Sequence, residues 1–143
     1  MAKSGYFRKV KISIPAWSAR LYVIISVLLI PWAVYLSFAL PTHHLSRNWD
    51  ITWVGLDAAL IGSLLTTGIL AKLKSIYVVI TSTITATLFI TDAWFDILSY
   101  HAGSKGFNEA VTMAILGEIP MAIMSLLLAV HVLKRLHSIG TAK

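Results

Sequence analysis

The sequence predicts an all-α integral membrane protein, an antiparallel four-helix transmembrane bundle with both termini cytoplasmic. Its 143 residues are 57% hydrophobic and only 13% charged, whereas globular domains carry about 25% charged residues. Four apolar stretches reach the length of about 20 residues that a helix needs to cross a bilayer. Lysine and arginine are distributed unequally between the two sides that these stretches would separate. Composition, span length and charge therefore predict the same architecture.

The four predicted spans occupy most of the chain and cover about residues 17–40, 51–70, 75–100 and 109–133. We therefore expect a single transmembrane domain over residues 1–143 and no separate soluble domain. The first stretch is longer than the 7–15 apolar residues of a signal peptide, which predicts a retained span. Asp50 and Asn108 are predicted to cap the second and fourth helices.

Lysine and arginine decide the predicted orientation, because cytoplasmic loops are enriched in both. One side of the predicted bundle carries ten of them: Lys3, Arg8, Lys9, Lys11, Arg20, Lys72, Lys74, Lys134, Arg135 and Lys143. The other side carries two, Arg47 and Lys105. This asymmetry predicts cytoplasmic termini. The basic residues flank apolar spans, so the net charge of +6 predicts a lipid bilayer, and no nucleic acid, as the partner.

The chain contains no cysteine. This excludes a disulfide framework, a thiolate metal site, an iron–sulfur cluster and a cysteine nucleophile. His101 and His131 lie near opposite ends of the predicted bundle, so a haem held by two histidines is not expected. The sequence leaves any cofactor unknown.

Acidic residues are confined to the outward half of the predicted bundle: Asp50, Asp57, Asp92, Asp96, Glu109 and Glu118. Asp50 and Glu109 lie at helix starts, where the helix dipole favours a carboxylate. The other four lie roughly 6–14 Å along their helices from the outer ends, at 1.5 Å per residue. They come from three different spans, and none of these three spans contains Lys or Arg. This distribution predicts an inward-facing acidic cluster.

Four carboxyl groups inside a bilayer carry a large free-energy cost unless something offsets their charge. A charged side chain at the bilayer centre costs roughly 2.5–3.5 kcal/mol, so four facing lipid would cost on the order of 10 kcal/mol. Protonation of some groups, a bound cation or an aqueous cavity would each relieve this cost. Alternatively, neighbouring hydroxyl or indole groups satisfy each carboxyl and hold the helices in register. We predict a ligand- or cation-binding role for Asp57, Asp92, Asp96 and Glu118.

Helical spacing predicts the surroundings of this cluster. The face shared by Asp92 and Asp96 continues back to Thr85 and Thr81, which predicts a polar stripe toward the cytoplasmic side. Small residues recur every four positions in the second span and predict close helix packing there; they are Ala58, Gly62 and Thr66, and, one position on, Ala59, Ser63 and Thr67.

Two tryptophans and two prolines complete the predicted site. Trp53 and Trp94 fit an interfacial aromatic belt, and they are also placed to wall the pocket and stack on a cation. Pro31 and Pro120 each remove a helical hydrogen bond, which predicts flexible or kinked points. Backbone carbonyls near Glu118 that lose their hydrogen bond because of Pro120 would add oxygen ligands to the site, as in the broken helices of transporters.

Three function classes remain open. The first is a membrane protein that binds or transports a cation, a proton or a small cationic molecule. Four helices are few for a transporter, so we expect a homodimer. The second is a non-catalytic accessory subunit of a larger membrane complex, or a lipid-binding module. The third is a metal-dependent enzyme acting on lipid head groups, because paired carboxylates suit Mg²⁺, Ca²⁺ or Mn²⁺.

Three segments carry a family resemblance: the Arg47–Asp57 segment RNWDITWVGLD, the Thr91–Asp96 segment TDAWFD, and Glu118-Ile-Pro120. They resemble an uncharacterised family of small four-helix bacterial integral membrane proteins of the actinobacterial type. The likeness covers about residues 45–135. It implies the four-helix topology and a bacterial inner membrane, and it implies no substrate or mechanism.

Overall fold

A computed structural model of the chain describes residues 14–39 and 48–141, the last three by their backbone only. Within these residues the fold is entirely helical, without strands. The elements are α1 (Ala16–Ala39), α2 (Trp49–Lys72), α3 (Val78–Leu98), α4 (Lys105–Met113), a π-helical segment (Ala114–Glu118) and α5 (Ile119–Thr141). The last three elements follow one another directly along the chain.

Among the residues that the structure describes, four helices are long and apolar enough to cross a membrane, which confirms the predicted all-helical architecture and supports a multi-pass membrane protein. They are α1, α2, α3 and the run Lys105–Ser138, which joins α4, the π-helical segment and α5. Large apolar side chains cover their outer surfaces; Phe38 is 86% exposed and Leu116 75%. Such a surface is suited to lipid rather than to water.

The helix starts differ from the predicted caps. Asn48 precedes α2 in the left-handed conformation (φ 62°) without a side-chain cap, and Asp50 lies in the first turn. Ser104 caps α4, since its Oγ accepts a hydrogen bond from the backbone N–H of Phe107 at 3.1 Å. Capping by Asp50 and Asn108 was therefore wrong. A serine at the cap explains why the fourth helix begins at Lys105, earlier than predicted.

The helices pack in a sequential arrangement, with α1 against α2, α2 against α3, and α3 against α4, the π-helical segment and α5. Helices α1 and α2 approach each other closely at Gly68, where an added Cβ would lie 2.9 Å from Val23 Cγ2 and 3.1 Å from the Ala19 carbonyl oxygen. The predicted small-residue ridge of Ala58, Gly62 and Thr66 is instead exposed. Gly68 provides the close contact because it lies on the face that meets α1.

Buried hydroxyl groups connect the helices in the interior. Tyr22 Oη donates to Ser125 Oγ at 2.9 Å, which joins α1 to α5. The hydroxyls of Thr67 and Thr85 lie 3.1 Å apart, which joins α2 to α3. All four side chains are at most 1% exposed. These contacts favour the observed arrangement of the helices, above all through Tyr22, because Thr85 and Ser125 also donate to the Thr81 and Met121 carbonyls of their own helices.

The Tyr22–Ser125 contact leads to a stability prediction. We expect Tyr22→Phe to lower the unfolding free energy by about 0.6 kcal/mol, the average for interhelical hydrogen bonds in a membrane. Ser125→Ala should cost a similar amount, and the double variant little more than either, because the two side chains share one bond. Thermal unfolding in mild detergent would measure this cycle. Fully additive costs would contradict the assigned contact.

Candidate functional site

The four carboxyl groups of the predicted cluster lie on α2, on α3 and at the end of the π-helical segment. Asp57 is buried, at 4% exposed. Asp92, Asp96 and Glu118 are half-buried. The remaining acids differ, because Asp50 lies in the first turn of α2 and Glu109 makes an exposed ion pair with Lys105 at 3.7 Å.

The structure brings these four carboxyl groups into mutual electrostatic range. Asp92 experiences repulsion from Glu118, Asp96 and Asp57. Glu118 in turn experiences repulsion from Asp96 and Asp57. No Lys or Arg occurs within residues 53–70, 78–98 or 109–133 to offset this charge. The acidic cluster (Asp57, Asp92, Asp96 and Glu118) is therefore a region of concentrated negative potential within the helix bundle whenever its groups are ionised.

Two oxygen atoms of the acidic cluster lack a hydrogen-bond partner. They are Asp57 Oδ2 and Glu118 Oε2, both buried from the surface. A buried polar atom left unsatisfied costs about 1–3 kcal/mol, and more when charged. The alternative in which neighbouring hydroxyl or indole groups satisfy every carboxyl thus does not hold for these two atoms.

Glu118 is positioned by a local change in helix type. The backbone N–H of Ile119 bonds to the Ala114 carbonyl, five residues earlier, at the end of the π-helical segment. Pro120 follows immediately; it has no N–H to donate to the Leu116 carbonyl, and its ring would collide with that carbonyl in a regular α-helix. The wider π turn accommodates this. Such segments are frequent at functional sites, and the Pro120 signal in the sequence indicated a kink but not its form.

Aromatic side chains lie beside one part of the acidic cluster. Trp53, one turn before Asp57, is half-buried and meets Phe95 of α3 edge to face, with ring centroids 6.4 Å apart. Trp49 makes a second edge contact with Trp53 at 5.6 Å. Phe95, which the sequence analysis did not single out, directly precedes Asp96.

Trp94 is not brought to the acidic cluster. Its side chain is 65% exposed. It lies two positions from both Asp92 and Asp96, about 200° around the α3 axis, and so faces the opposite side. Of the two predicted wall residues, Trp53 therefore stays the candidate, and the exposed position of Trp94 fits a lipid-facing aromatic.

An apolar layer lies next to the acidic cluster along α2, α3 and α5, on the side away from the helix starts of α2 and α4. It consists of Leu60, Leu64, Phe89 and Met121, all at most 8% exposed and packed in one cluster. Phe89 lies between Asp92 and Thr85 on the same face of α3. The buried aromatic ring of Phe89 therefore interrupts the predicted polar stripe between Asp92 and Thr85. In the sequence, the spacing of three residues between Phe89 and Asp92 indicates that both side chains lie on the same face of α3.

Two further predictions concern metal ions and hinges. In the described part of the chain, no group of three or more His, Asp or Glu side chains is arranged to hold a metal ion. The four carboxyl groups therefore lie within electrostatic range of one another without converging on one point. Helix α1 continues through Pro31, whose side chain is exposed.

Several charges used for the predicted orientation lie outside the described residues, among them Lys3, Arg8, Lys9, Lys11, Arg47 and Lys143. Arg20, Lys72, Lys74, Lys134 and Arg135 are described and exposed.

Comparison with family models, with curated proteins and with solved structures finds no match for this chain.

Proposed function

We propose that the acidic cluster binds protons or a small organic cation, and that this binding serves transport across the membrane. The observation that carries the proposal is Asp57, which is 4% exposed, has an unpartnered Oδ2 and lies in repulsive range of other carboxyl groups. A positively charged ligand supplies the partner that these oxygens lack and relieves the repulsion among the four groups.

The geometry favours these ligands over a metal ion. Metal ions need several oxygen ligands at about 2.0–2.6 Å from one point, and the described carboxyl groups do not converge in that way. A proton needs only one carboxyl oxygen, and an organic cation spreads its charge over a larger volume. Trp53 and Phe95 would offer an organic cation aromatic surface beside the carboxyl groups.

We further propose an antiparallel bundle with both termini cytoplasmic, in a bacterial inner membrane. Gly68, near the end of α2, contacts Ala19 and Val23, near the start of α1. Thr67 and Thr85 pair across the short connection from α2 to α3. These contacts support alternating helix directions, and the distribution of Lys and Arg supports the sidedness. A homodimer would supply the additional helices that a transport path needs.

The test compares two variants in liposomes of bacterial lipid. One neutralises the acidic cluster (Asp57→Asn, Asp92→Asn, Asp96→Asn, Glu118→Gln), and the control neutralises the helix-start acids (Asp50→Asn, Glu109→Gln). Proton uptake is followed with an internal pH dye, and binding with tetraphenylphosphonium as the organic cation. We expect the cluster variant to lose at least tenfold in affinity or rate, equivalent to about 1.4 kcal/mol, and the control to match the wild type.

Retention of both activities in the cluster variant would refute the proposal. An equal loss in the control would also contradict it, because a general surface charge effect would then explain the result. Circular dichroism of each variant before reconstitution checks that the helices remain formed.

A further inference from the structure

A cavity lies between α1 and α5, away from the acidic cluster. It has a volume of about 200 Å³, and its lining includes Trp17, Ser18, Tyr22, Leu127 and His131. Small-molecule pockets usually have volumes of about 300–1,000 Å³, so this cavity is smaller than most of them. We call this cavity the α1–α5 cleft.

The walls of the α1–α5 cleft are apolar despite two hydroxyl groups. Ser18 Oγ donates to the Pro15 carbonyl at 2.8 Å, and Tyr22 Oη donates to Ser125. Both donors are thus used within the protein. The exposed surface beside them comes from aliphatic and aromatic side chains, with Leu127 62% and Trp17 59% exposed. A narrow apolar cleft between membrane helices fits a lipid acyl chain.

Charge at one end of the cleft is uniformly basic. Arg135 lies one turn beyond His131 on the same face of α5, and Lys134 lies beside it; both are exposed. Neither residues 14–39 nor residues 119–143 contain Asp or Glu. Along the chain, Glu118 lies on the other side of Ser125 from Arg135. The acidic cluster therefore does not neutralise this end.

We propose that the α1–α5 cleft binds one phospholipid with an anionic head group. An acyl chain occupies the apolar cleft, and the phosphate and head group lie at Lys134 and Arg135. Basic pockets between transmembrane helices on the cytoplasmic side are suited to such lipids. Trp17 lies at the same end, where amphipathic rings sit at head-group level. This site is independent of the acidic cluster and of its proposed ligand.

The test is a lipid titration of the purified full chain by native mass spectrometry. Dioleoyl phosphatidylglycerol is compared with dioleoyl phosphatidylcholine, which has the same chains and no net charge. We expect a preference for phosphatidylglycerol of about 25-fold, from roughly fivefold for each basic side chain. Lys134→Gln with Arg135→Gln should remove this preference. The matched control, Lys72→Gln with Lys74→Gln, removes two exposed lysines outside the cleft and should retain it.

Two further arms locate the site. Leu127→Trp, which fills the cleft from an exposed position, should weaken phosphatidylglycerol binding without altering Lys134 or Arg135. Glycerol phosphate, which lacks acyl chains, should not displace the lipid. Equal loss of preference in both double variants would overturn the proposal in favour of general surface attraction. Wild-type binding by Leu127→Trp, or displacement by glycerol phosphate, would overturn the cleft as the site.

Discussion

Replacing Gly68 by leucine is expected to lower the unfolding free energy by about 1–3 kcal/mol, the range for overpacking a tight interior contact. A Cβ alone would lie 2.9 Å from Val23 Cγ2, 3.1 Å from the Ala19 carbonyl oxygen and 3.2 Å from Tyr22 Cβ. The first neighbour is a side-chain end, but the second is backbone, so α1 must move away from α2. That movement should also weaken the Tyr22–Ser125 hydrogen bond.

Gly62→Leu is the matched control for this change. It lies on the same helix, and no atom lies within 4 Å of an added Cβ there. Leucine has the higher helix propensity, so Gly62→Leu should leave the unfolding free energy unchanged or raise it by up to about 1 kcal/mol. Thermal or denaturant unfolding in mild detergent would compare the two. Equal stability of Gly68→Leu and Gly62→Leu would contradict the close approach of α1 and α2.

Replacing Phe89 by alanine is expected to affect both stability and permeability. The ring is 4% exposed within the apolar layer. Removing it leaves a cavity of about 100 Å³, which costs about 2 kcal/mol at 24 cal/mol per Å³. The cost should fall below that for a water-soluble protein, because the unfolded chain in a membrane exposes this ring to lipid rather than to water.

The cavity would also join the acidic cluster to the Thr67–Thr85 hydroxyl pair, which Phe89 now separates from it along α3. Polar groups at both ends would make such a space suitable for water. We therefore expect Phe89→Ala to raise the proton permeability of liposomes severalfold over the wild type. Trp94→Ala, on the same helix at 65% exposed, should leave permeability unchanged. Unchanged permeability in Phe89→Ala would show that the apolar layer is not the barrier.

The acidic cluster was predictable because its chemistry is exceptional in a bilayer. Four carboxyl groups on apolar helices without basic partners must face inward, and similar depths place them in one layer. Trp53 was predictable for a related reason, since it shares a helix face with Asp57. The sequence could not decide the position of Trp94, because a large aromatic side chain is as stable facing lipid as it is facing the interior of the bundle.

Phe89 and the π-helical segment show a different limit. The sequence pattern of threonines predicted a polar stripe, but one ring on the same face was enough to interrupt it. Pro120 indicated a disturbed helix, whereas the choice of a π turn depends on where Glu118 and its neighbours can pack against α3.

By itself, the sequence determined that the chain has four apolar helices of membrane-spanning length and that its acids are concentrated on three of them. Hydropathy and charge are properties of local segments, so no packing information is needed. Tertiary structure alone decided that Phe89 is buried in the interior, that Gly68 packs closely against α1, and that a cleft remains between α1 and α5. Lipid-facing and interior side chains are both apolar in a membrane, so hydropathy cannot distinguish them, and only packing assigns each one to a side.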